Sequence, residues 1–374
     1  MDLSFLASVE STTGQVASLN INASRDAEEA DHAVRVRWQK AREDLRSQGA
    51  DEQTLTAMDE VVGQTGGVAG PHGQVVFAAD GGVLLDTVVA EPPQDHLARV
   101  GPLPDPLLYI HSQRTPIPYV LAVVDSVGGD VRSVHGDGRT VHRRVEGEGW
   151  PVSKVREGAY HHKQMQRNVE QQVADNAGRV AGAVAQEAKR NGAEVVAIAG
   201  EVQVRGELRD RLPDWLEPRA LDLESGSRAA GSENSPLEEE LRGHLEERAR
   251  AHVAEVQESF EQGRANRDRV AEGLAAVVRA LQRGQVETLL WSTGLAETDT
   301  RVWIGPSGEQ IGVEERELRD MGVDDPVTEL AGPAVLRAAA ATSAQLVLVP
   351  QRDSAPEEGV GAILRFSDPT LTDH

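Results

Sequence analysis

From residue 119 onward, short apolar runs of strand length alternate with long helical patterns, and this alternation constrains the fold more than any other feature of the sequence. Residues 119–125 form an apolar strand pattern, and 130–134 and 140–144 follow as its hairpin partners. A helical pattern over 164–191 then leads into a second apolar run, 194–199. Helices that alternate with strands cover the faces of the sheet that the strands form. The sequence therefore predicts an α/β fold.

The residues on either side of this region add further elements. Apolar residues at helical spacing predict one helix over 24–62. The turn sequence Asp80-Gly81-Gly82 lies between two β-prone runs and predicts a hairpin. The other predicted elements are strands at 75–79, 83–89, 220–224, 287–292, 301–304, 346–350 and 361–366 and helices at 202–212, 236–262, 264–284 and 333–341.

Length and composition limit the class of protein. The chain has 374 residues, which predicts two or three domains rather than one. It contains no cysteine, so disulfides, thiolate catalysis and cysteine zinc sites are excluded. It has no apolar run of about 18 residues that could cross a membrane, and its N-terminus lacks the pattern of a secretory signal. These features predict a cytoplasmic protein.

The net charge of −23 argues against diffuse affinity for nucleic acid or anionic membranes, and so against DNA and membranes as partners. It does not exclude a local basic site. Acidic surroundings suppress non-specific phosphate binding and can limit a protein to one well-shaped RNA site. Alternatively, the charge only serves solubility.

Short motifs that mark catalytic or cofactor sites are missing from the sequence. There is no Gly-x-x-x-x-Gly-Lys phosphate loop, no Gly-x-Gly-x-x-Gly after a strand, no His-Glu-x-x-His pair and no Gly-x-Ser-x-Gly turn. The only adjacent histidines, His161 and His162, would point in different directions on a helix and form a poor metal clamp. The sequence therefore predicts no enzyme active site, no cofactor and no metal.

A basic and aromatic stretch, 149–167, stands out in this acidic chain. Its cations outnumber its one acid, Glu157, and aromatic rings lie between them. Cations neutralise phosphates and rings stack on unpaired bases, so such a loop at the start of a helix suits insertion into RNA. The alternative is a solvated surface loop, since short basic loops are common. The candidate RNA-contact residues are Trp150, Lys154, Arg156, Gly158, Ala159, Tyr160, His161, His162, Lys163, Gln164 and Arg167.

The order of elements over 119–366 resembles the middle and C-terminal domains of archaeal and eukaryotic class 1 peptide release factors and their rescue-factor relatives. Three features carry the resemblance. They are the hairpin followed by a basic loop and a long helix, the helix-to-strand join over 274–291, and the closing stretch Gly-Val-Gly-Ala-Ile-Leu-Arg-Phe at 359–366. The resemblance implies a release-factor-like middle domain over 116–284 and a C-terminal α/β/α sandwich over 285–374. The helix and hairpin patterns that precede them predict an α+β N-terminal domain over 1–115.

The loop departs from the release-factor pattern at the residues that carry catalysis. The resemblance aligns Gly158, Ala159 and Tyr160 with the Gly-Gly-Gln of release factors, whose glutamine segment positions water against the ester of peptidyl-tRNA. A phenol cannot offer the amide and backbone geometry of that glutamine. Gln164 and Gln166 are the alternative glutamines, but both lie on the predicted helix. The chain also lacks Asn-Ile-Lys-Ser, which argues against a codon-dependent release factor.

A release-factor-like chain without the hydrolytic motif resembles the Balon group of bacterial ribosome hibernation factors. This resemblance implies binding to the A site of idle 70S ribosomes during dormancy or stress, with a non-catalytic loop near the peptidyl transferase centre. It also implies association with elongation factor Tu. Two alternatives remain open: a peptidyl-tRNA hydrolase used in ribosome rescue, and a stress-response adaptor that does not bind RNA.

Overall fold

The computed structural model describes Leu3, Leu6 and residues 14–24, 30–66, 68, 70–89, 92–110, 117–136, 139–147, 159–226, 235–292, 299–350 and 355–367. Contacts divide the chain into two compact units. The first unit joins Met1–Thr115 with Val253–His374, and the second is Pro116–His252. The organisation into three domains stays a prediction, because a division by contacts does not test whether each part folds alone.

The N-terminal part of the first unit is an antiparallel sheet packed against two helices. Along the chain it contains β1 (Val16–Asn22), α1 (Ala30–Ser47), α2 (Glu52–Val61), β2 (Gly73–Ala79), β3 (Gly82–Val89), β4 (Leu97–Gly101) and α3 (Leu107–Ile110). The strand order is β3-β2-β1-β4. The predicted hairpin is confirmed, since Ala79 pairs with Gly82. Trp38 is buried between the helices and the sheet, and its indole N–H donates to Asp59 at 2.9 Å.

The prediction of one helix over 24–62 is wrong, because two helices occupy this region. α1 ends at Ser47, and Gly49 has a φ of +103°, a left-handed conformation that glycine adopts without strain. The carboxylate of Asp51 then accepts the backbone N–H of Thr54 at 2.9 Å and caps the start of α2.

The second unit is built around one mixed sheet. It contains β5 (Tyr119–Asp125), β6 (Gly128–Val134), β7 (Thr140–Glu146), α4 (Ala159–Asn191), β8 (Val195–Gly200), α5 (Val202–Arg209), β9 (Ala220–Asp222) and the first half of α6 (Ser235–Asn266). The strand order is β7-β6-β5-β8-β9, with β5, β8 and β9 parallel and the β5-β6-β7 meander antiparallel. α4 and α5 cover one face, and α6 covers part of the other through Leu237 and Leu241. These layers confirm the predicted α/β class.

The C-terminal part of the first unit holds two further sheets. It contains β10 (Val270–Glu272), α7 (Leu274–Gln282), β11 (Val286–Ser292), β12 (Arg301–Ile304), β13 (Ile311–Gly312), α8 (Glu315–Asp320), β14 (Val327–Leu330), α9 (Ala331–Ala341), β15 (Gln345–Val349) and β16 (Val360–Leu364). The strand orders are β10-β16-β11-β15 and β13-β12-β14. α7, α9 and the larger sheet share a core that includes the fully buried Trp291, and Leu107 and Ile110 of α3 complete it.

The helices of the middle and C-terminal parts differ from the predicted ones chiefly at two places. α4 begins at Ala159 rather than at 164, and no glycine or proline interrupts the sequence between these positions. α6 runs without a break to Asn266, and the predicted helix over 264–284 is confirmed only in its second half, by α7. The first half instead contains the end of α6 and β10, because Val270–Glu272 pairs with β16 and tertiary pairing overrides local propensity.

Two tryptophans lie outside the fully buried cores. Trp303 is half-buried, and Trp215 is 45% exposed. It lies in the turn between α5 and β9, where the guanidinium of Arg219 sits 5.9 Å from the ring centroid. Among the described helices, none has the length and apolar character needed to span a lipid bilayer.

Candidate functional site

The predicted RNA-contact residues are only partly covered by the structure. Trp150, Lys154, Arg156 and Gly158 lie outside the described residues. The others lie on the first turns of α4: Ala159, Tyr160, His161, His162, Lys163, Gln164 and Arg167. Because an α-helix turns about every 3.6 residues, positions 160, 163, 164 and 167 fall on one side of α4, and 161 and 162 do not. A role of these residues in RNA binding stays a prediction.

The far end of α4 is fixed to the sheet. Val184 and its apolar neighbours are buried against β5 and β6. At the last residue of the helix, the side-chain amide of Asn191 donates to the backbone oxygens of Tyr119 and Val134, both at 3.1 Å, and to the hydroxyl of Ser133 at 3.0 Å. With 33 residues, α4 extends over about 50 Å, since a helix rises about 1.5 Å per residue. The helix is therefore a stem whose first turns carry the predicted contacts.

A second anchor lies where the chain leaves the sheet, just before the predicted loop. The side-chain amide of Asn176 on α4 donates to the backbone oxygen of Ser126 at 3.1 Å, and the N–H of Gly147 donates to that of Val127 at 2.7 Å. A Cβ at position 147 would lie 2.3 Å from the Asn176 amide, so a larger residue would force that side chain away. The exit of β7 is therefore packed directly against the stem.

β7 is an edge strand of the sheet and carries basic residues that sequence reasoning missed as a site. Three of them on β7, His142, Arg143 and Arg144, and Arg139 just before the strand are all exposed, and we call these four residues the basic edge. The sequence does contain a signal, because these four lie within six consecutive positions of a chain with net charge −23. What the sequence does not contain is the edge position of the strand.

Hydrogen bonds orient Arg143 and Arg144 of the basic edge. Nε of Arg144 donates to Asp130 at 2.8 Å, and this bond raises the pKa of Arg144. Nη1 of Arg143 donates to Gln186 at 2.8 Å and lies 3.7 Å from Glu187. Guanidinium groups keep their charge throughout the physiological range of pH. The basic edge therefore presents two fixed cations to solvent.

A cleft of about 550 Å³ lies beside the basic edge, on the sheet face that α6 partly covers. Its lining residues are Leu121, Val123, Asp130, Val131, Arg132, His142, Arg143, Arg144, Leu237 and Glu238. Arg132 donates two hydrogen bonds to Glu238, at 2.7 and 2.8 Å, and lies 5.8 Å from the ring centroid of Tyr119. Burial is the largest single influence on the pKa of Arg132 and lowers it, but Glu238 and Tyr119 together raise it and the net shift is upward. Burial raises the pKa of Tyr119, so its phenol stays protonated.

Among the described residues, no three histidine or carboxylate side chains are grouped to hold a metal ion. The groups that the second unit does bring together are guanidinium donors, a histidine and an apolar cleft floor. Such an arrangement can bind an anion beside an apolar or aromatic group.

Residues 118–266 match the model of the bacterial archaeo-eukaryotic release factor family 2. The matched stretch runs from β5 to the end of α6 and so includes the whole mixed sheet, the α4 stem and the basic edge.

Two relatives of uncharacterised function come from Mycobacterium tuberculosis. They are the protein MT2704 of strain CDC 1551 / Oshkosh and the protein Rv2629 of strain ATCC 25618 / H37Rv. Each is 28% identical to this chain over 361 residues, which is 95% of this chain and 94% of the relative. The likeness therefore extends over nearly the full length of each protein.

Solved structures of translation factors are similar at low TM-scores. The archaeal translation termination factor aRF1 has a TM-score of 0.26 and 14% identity, over 98% of this chain and 99% of that one. Ribosome-bound archaeal Pelota has a TM-score of 0.38 and 15% identity, over 97% and 93%. Dom34 of S. cerevisiae has a TM-score of 0.37 and 10% identity, over 81% and 82%. The middle part of this chain is thus similar to the bacterial archaeo-eukaryotic release factor family 2 over residues 118–266, in agreement with the release-factor resemblance that the sequence predicts.

Proposed function

We propose that this protein is a ribosome hibernation factor of the Balon type. It binds the A site of idle 70S ribosomes and places a non-catalytic loop near the peptidyl transferase centre. A middle domain of the release-factor family supports a role at the ribosome. The further assignment to the Balon group follows the sequence resemblance, which also adds elongation factor Tu as an expected partner in the cytoplasm.

The observation that carries the proposal is the sequence at the start of the α4 stem, which we call the tip. It differs from the Gly-Gly-Gln of release factors. Gly158, Ala159 and Tyr160 stand where the resemblance aligns Gly-Gly-Gln. Ala159 and Tyr160 already belong to α4, so their backbone is helical. A helical alanine and tyrosine lack the backbone freedom of a double-glycine turn. This substitution supports binding without hydrolysis of peptidyl-tRNA.

The stem explains how a mostly acidic protein can reach an RNA site. α4 is anchored to the sheet by Asn191 at one end and carries Lys163 and Arg167 near the other. Their positions on the helix place two cations about 40 Å along the stem from the anchor, counted at about 1.5 Å per residue. Phosphate contacts by these cations and base stacking by Tyr160 would act at that distance from the acidic bulk of the chain.

Sedimentation with vacant 70S ribosomes tests the proposal, followed by chemical footprinting of the rRNA. We expect co-sedimentation that weakens steeply with salt, because cation–phosphate contacts release counterions. Protected nucleotides should lie in the A site, and an A-site tRNA should displace the protein. Failure to co-sediment at low salt would refute ribosome binding and favour the stress-response adaptor.

A hydrolysis assay separates the proposal from the peptidyl-tRNA hydrolase alternative. We expect no release of peptide from ribosome-bound peptidyl-tRNA above background. Turnover that disappears in Gln164→Ala or Gln166→Ala would instead assign the protein to the hydrolases. The Tyr160→Ala variant is the matched control, since it changes the tip and leaves both glutamines in place.

A further inference from the structure

The basic edge concentrates positive charge on a strand whose backbone is open to solvent. All residues of β7 except Val145 are exposed. An edge strand presents a row of N–H and C=O groups without ladder partners on its outer side. Along β7, basic side chains therefore occur together with backbone groups that have no ladder partner among the described residues.

Side chains flank this edge from both faces of the sheet. The strand register places His142 opposite Arg132 and Arg144 opposite Asp130, on the face of the cleft. Arg143 reaches Gln186 of α4 on the other face. A polymer lying along β7 would therefore meet cations from both sides.

The existing bonds leave the two arginines free to bind a second acceptor. A guanidinium has five N–H donors, and Arg144 uses Nε for Asp130 while Arg143 uses Nη1 for Gln186. Their side chains are 68% and 44% exposed, respectively. The acids and the amide thus hold the guanidinium planes in place while other donors remain open to solvent.

An RNA backbone offers both hydrogen-bond acceptors and hydrogen-bond donors to this surface. Its phosphates accept from arginines and from strand N–H groups, and its 2′-hydroxyls can donate to strand C=O groups. DNA lacks the 2′-hydroxyl donor. Charged residues on an edge strand oppose the addition of an ordinary peptide strand, which leaves RNA as the better-matched polymer.

We propose that the basic edge and its cleft bind a single-stranded RNA segment, with the backbone along β7 and one nucleotide in the cleft. A volume of about 550 Å³ lies within the range of roughly 300–1,000 Å³ that is usual for small-ligand sites. Leu121, Val123 and Leu237 supply an apolar contact for a base. The inference rests on the proposed function and adds a second RNA contact to the one predicted for 149–167.

Fluorescence anisotropy of the full-length chain tests the inference. The probes are a short labelled single-stranded RNA, DNA of the same sequence and a glutamate-rich peptide, each measured over a range of salt concentrations. The test variant is R143Q/R144Q. The control, R209Q/R319Q, removes two other arginines that each bind a carboxylate, the half-buried Arg209 on Asp222 at 2.9 Å and the exposed Arg319 on Glu315 at 2.6 Å. R143K/R144K keeps the charge, and thermal unfolding verifies that each variant is folded.

We expect the unmodified protein and the control to bind RNA more tightly than DNA. R143Q/R144Q should bind RNA roughly tenfold more weakly, and its log–log salt slope should fall by about 1.4, because each phosphate contact on a single strand contributes about 0.7. R143K/R144K should keep most of that slope. Equal RNA affinity in R143Q/R144Q and the control would overturn the inference. Tighter binding of the peptide than of RNA would also overturn it, in favour of an acidic strand as the partner.

Binding of the same variants to vacant 70S ribosomes separates this inference from the proposed function. RNA binding that depends on Arg143 and Arg144, without any ribosome binding, would refute the proposed function and leave the RNA site standing. Ribosome binding together with short-RNA binding that is unchanged in R143Q/R144Q would refute the RNA site and leave the proposed function standing.

Discussion

The buried carboxylate of Glu329 binds the guanidinium of Arg99, and this ion pair joins the N-terminal and C-terminal parts of the first unit. Arg99 lies on β4 and Glu329 on β14. Glu329 is fully buried and also accepts the backbone N–H of Leu103 at 3.0 Å. Two distant stretches of the chain are thus held together by one desolvated charge and its partners.

Replacing Arg99 by alanine should destabilise the protein by about 3–5 kcal/mol, because it leaves the buried charge of Glu329 without a counter-ion. The free energy of unfolding in urea measures this. Adding Glu329→Gln to Arg99→Ala should recover part of the loss. Arg319→Ala is the control. Arg319 pairs with Glu315 at the surface, so its loss should lower the free energy of unfolding much less. Equal losses for the two single variants would contradict the expectation.

Asp105 should make the protein less stable as pH rises. Burial raises the pKa of Asp105, although nearby Arg99 opposes the shift. The folded protein then holds this proton to a higher pH than the unfolded chain does. Stability is therefore lost as pH rises from the unfolded pKa, about 3.9, through the raised folded pKa.

Asp105→Asn keeps an acceptor for the Leu107 N–H, which Oδ1 of Asp105 binds at 3.2 Å, and removes the buried charge. The melting temperature of this variant should exceed that of the unmodified protein at neutral pH. The difference should vanish below about pH 3.9, where both forms are neutral. A constant difference at every pH would rule out the buried charge as its cause.

A fragment of residues 285–374 should not unfold cooperatively, although the sequence predicts a domain boundary there. β10 precedes that boundary and pairs with β16, as in the register Ala271 to Ala362. α7, which shares the core, is also lost. Differential scanning calorimetry should show a sharper transition for 253–374, which restores both elements. A sharp transition in the shorter fragment would show that β10 and α7 are dispensable.

Arg365 should stabilise the C-terminal part by closing the ends of two helices. Its guanidinium donates to the backbone oxygens of Gly284 at 2.7 Å and Thr342 at 2.8 Å, just after α7 and α9. Arg365→Lys should cost about 1–2 kcal/mol, because a single ammonium cannot span the two carbonyl groups as the planar fork does. Chemical denaturation measures the loss. Arg316→Lys serves as the matched surface change. An equally small loss of stability in both variants would contradict the proposed stabilising role of Arg365.

Changing Lys154, Arg156, Lys163 and Arg167 together to alanine should separate RNA contact from folding. Exposed substitutions usually change stability by less than about 0.5 kcal/mol, so the melting temperature should stay nearly constant. Affinity for 70S ribosomes should fall and its salt slope should flatten, because phosphate contacts are lost. Unfolding of the variant would mean that these cations are structural, and unchanged ribosome affinity would mean that the loop is plain surface.

The strands of the second unit could be predicted from the sequence, whereas β1 at the centre of the N-terminal sheet could not. β5 and β8 are continuous apolar runs, as buried parallel strands require. β1 carries Ser18 and Asn20, which are buried but polar. Ser18 accepts the N–H of Asp105 at 3.0 Å, and Asn20 donates to the backbone oxygen of Leu108 at 3.1 Å. Partners so distant in sequence leave no local pattern that identifies the strand.

The candidate site, like the fold, could be predicted only in part from the sequence. The sequence shows the charges of Arg143 and Arg144 as plainly as those of the loop. Their significance depends on β7 being the last strand of the sheet, and a strand order is set by pairing across the whole unit. The substituted tip, in contrast, could be predicted because it is a local sequence of three residues.

The anchoring of α4 by Asn191 fixes the distance between the sheet and the first turn of the helix. Because Asn191 holds the last residue of the helix with three acceptors and Asn176 holds its middle, the place of the first turn depends on the number of residues between these anchors and that turn. Removing one residue between Asn176 and the first turn would draw that turn back by about 1.5 Å and rotate it by about 100°. Substitutions at exposed positions of the stem are therefore tolerable where insertions and deletions are not, and the length of α4 sets how far its first turn lies from the sheet.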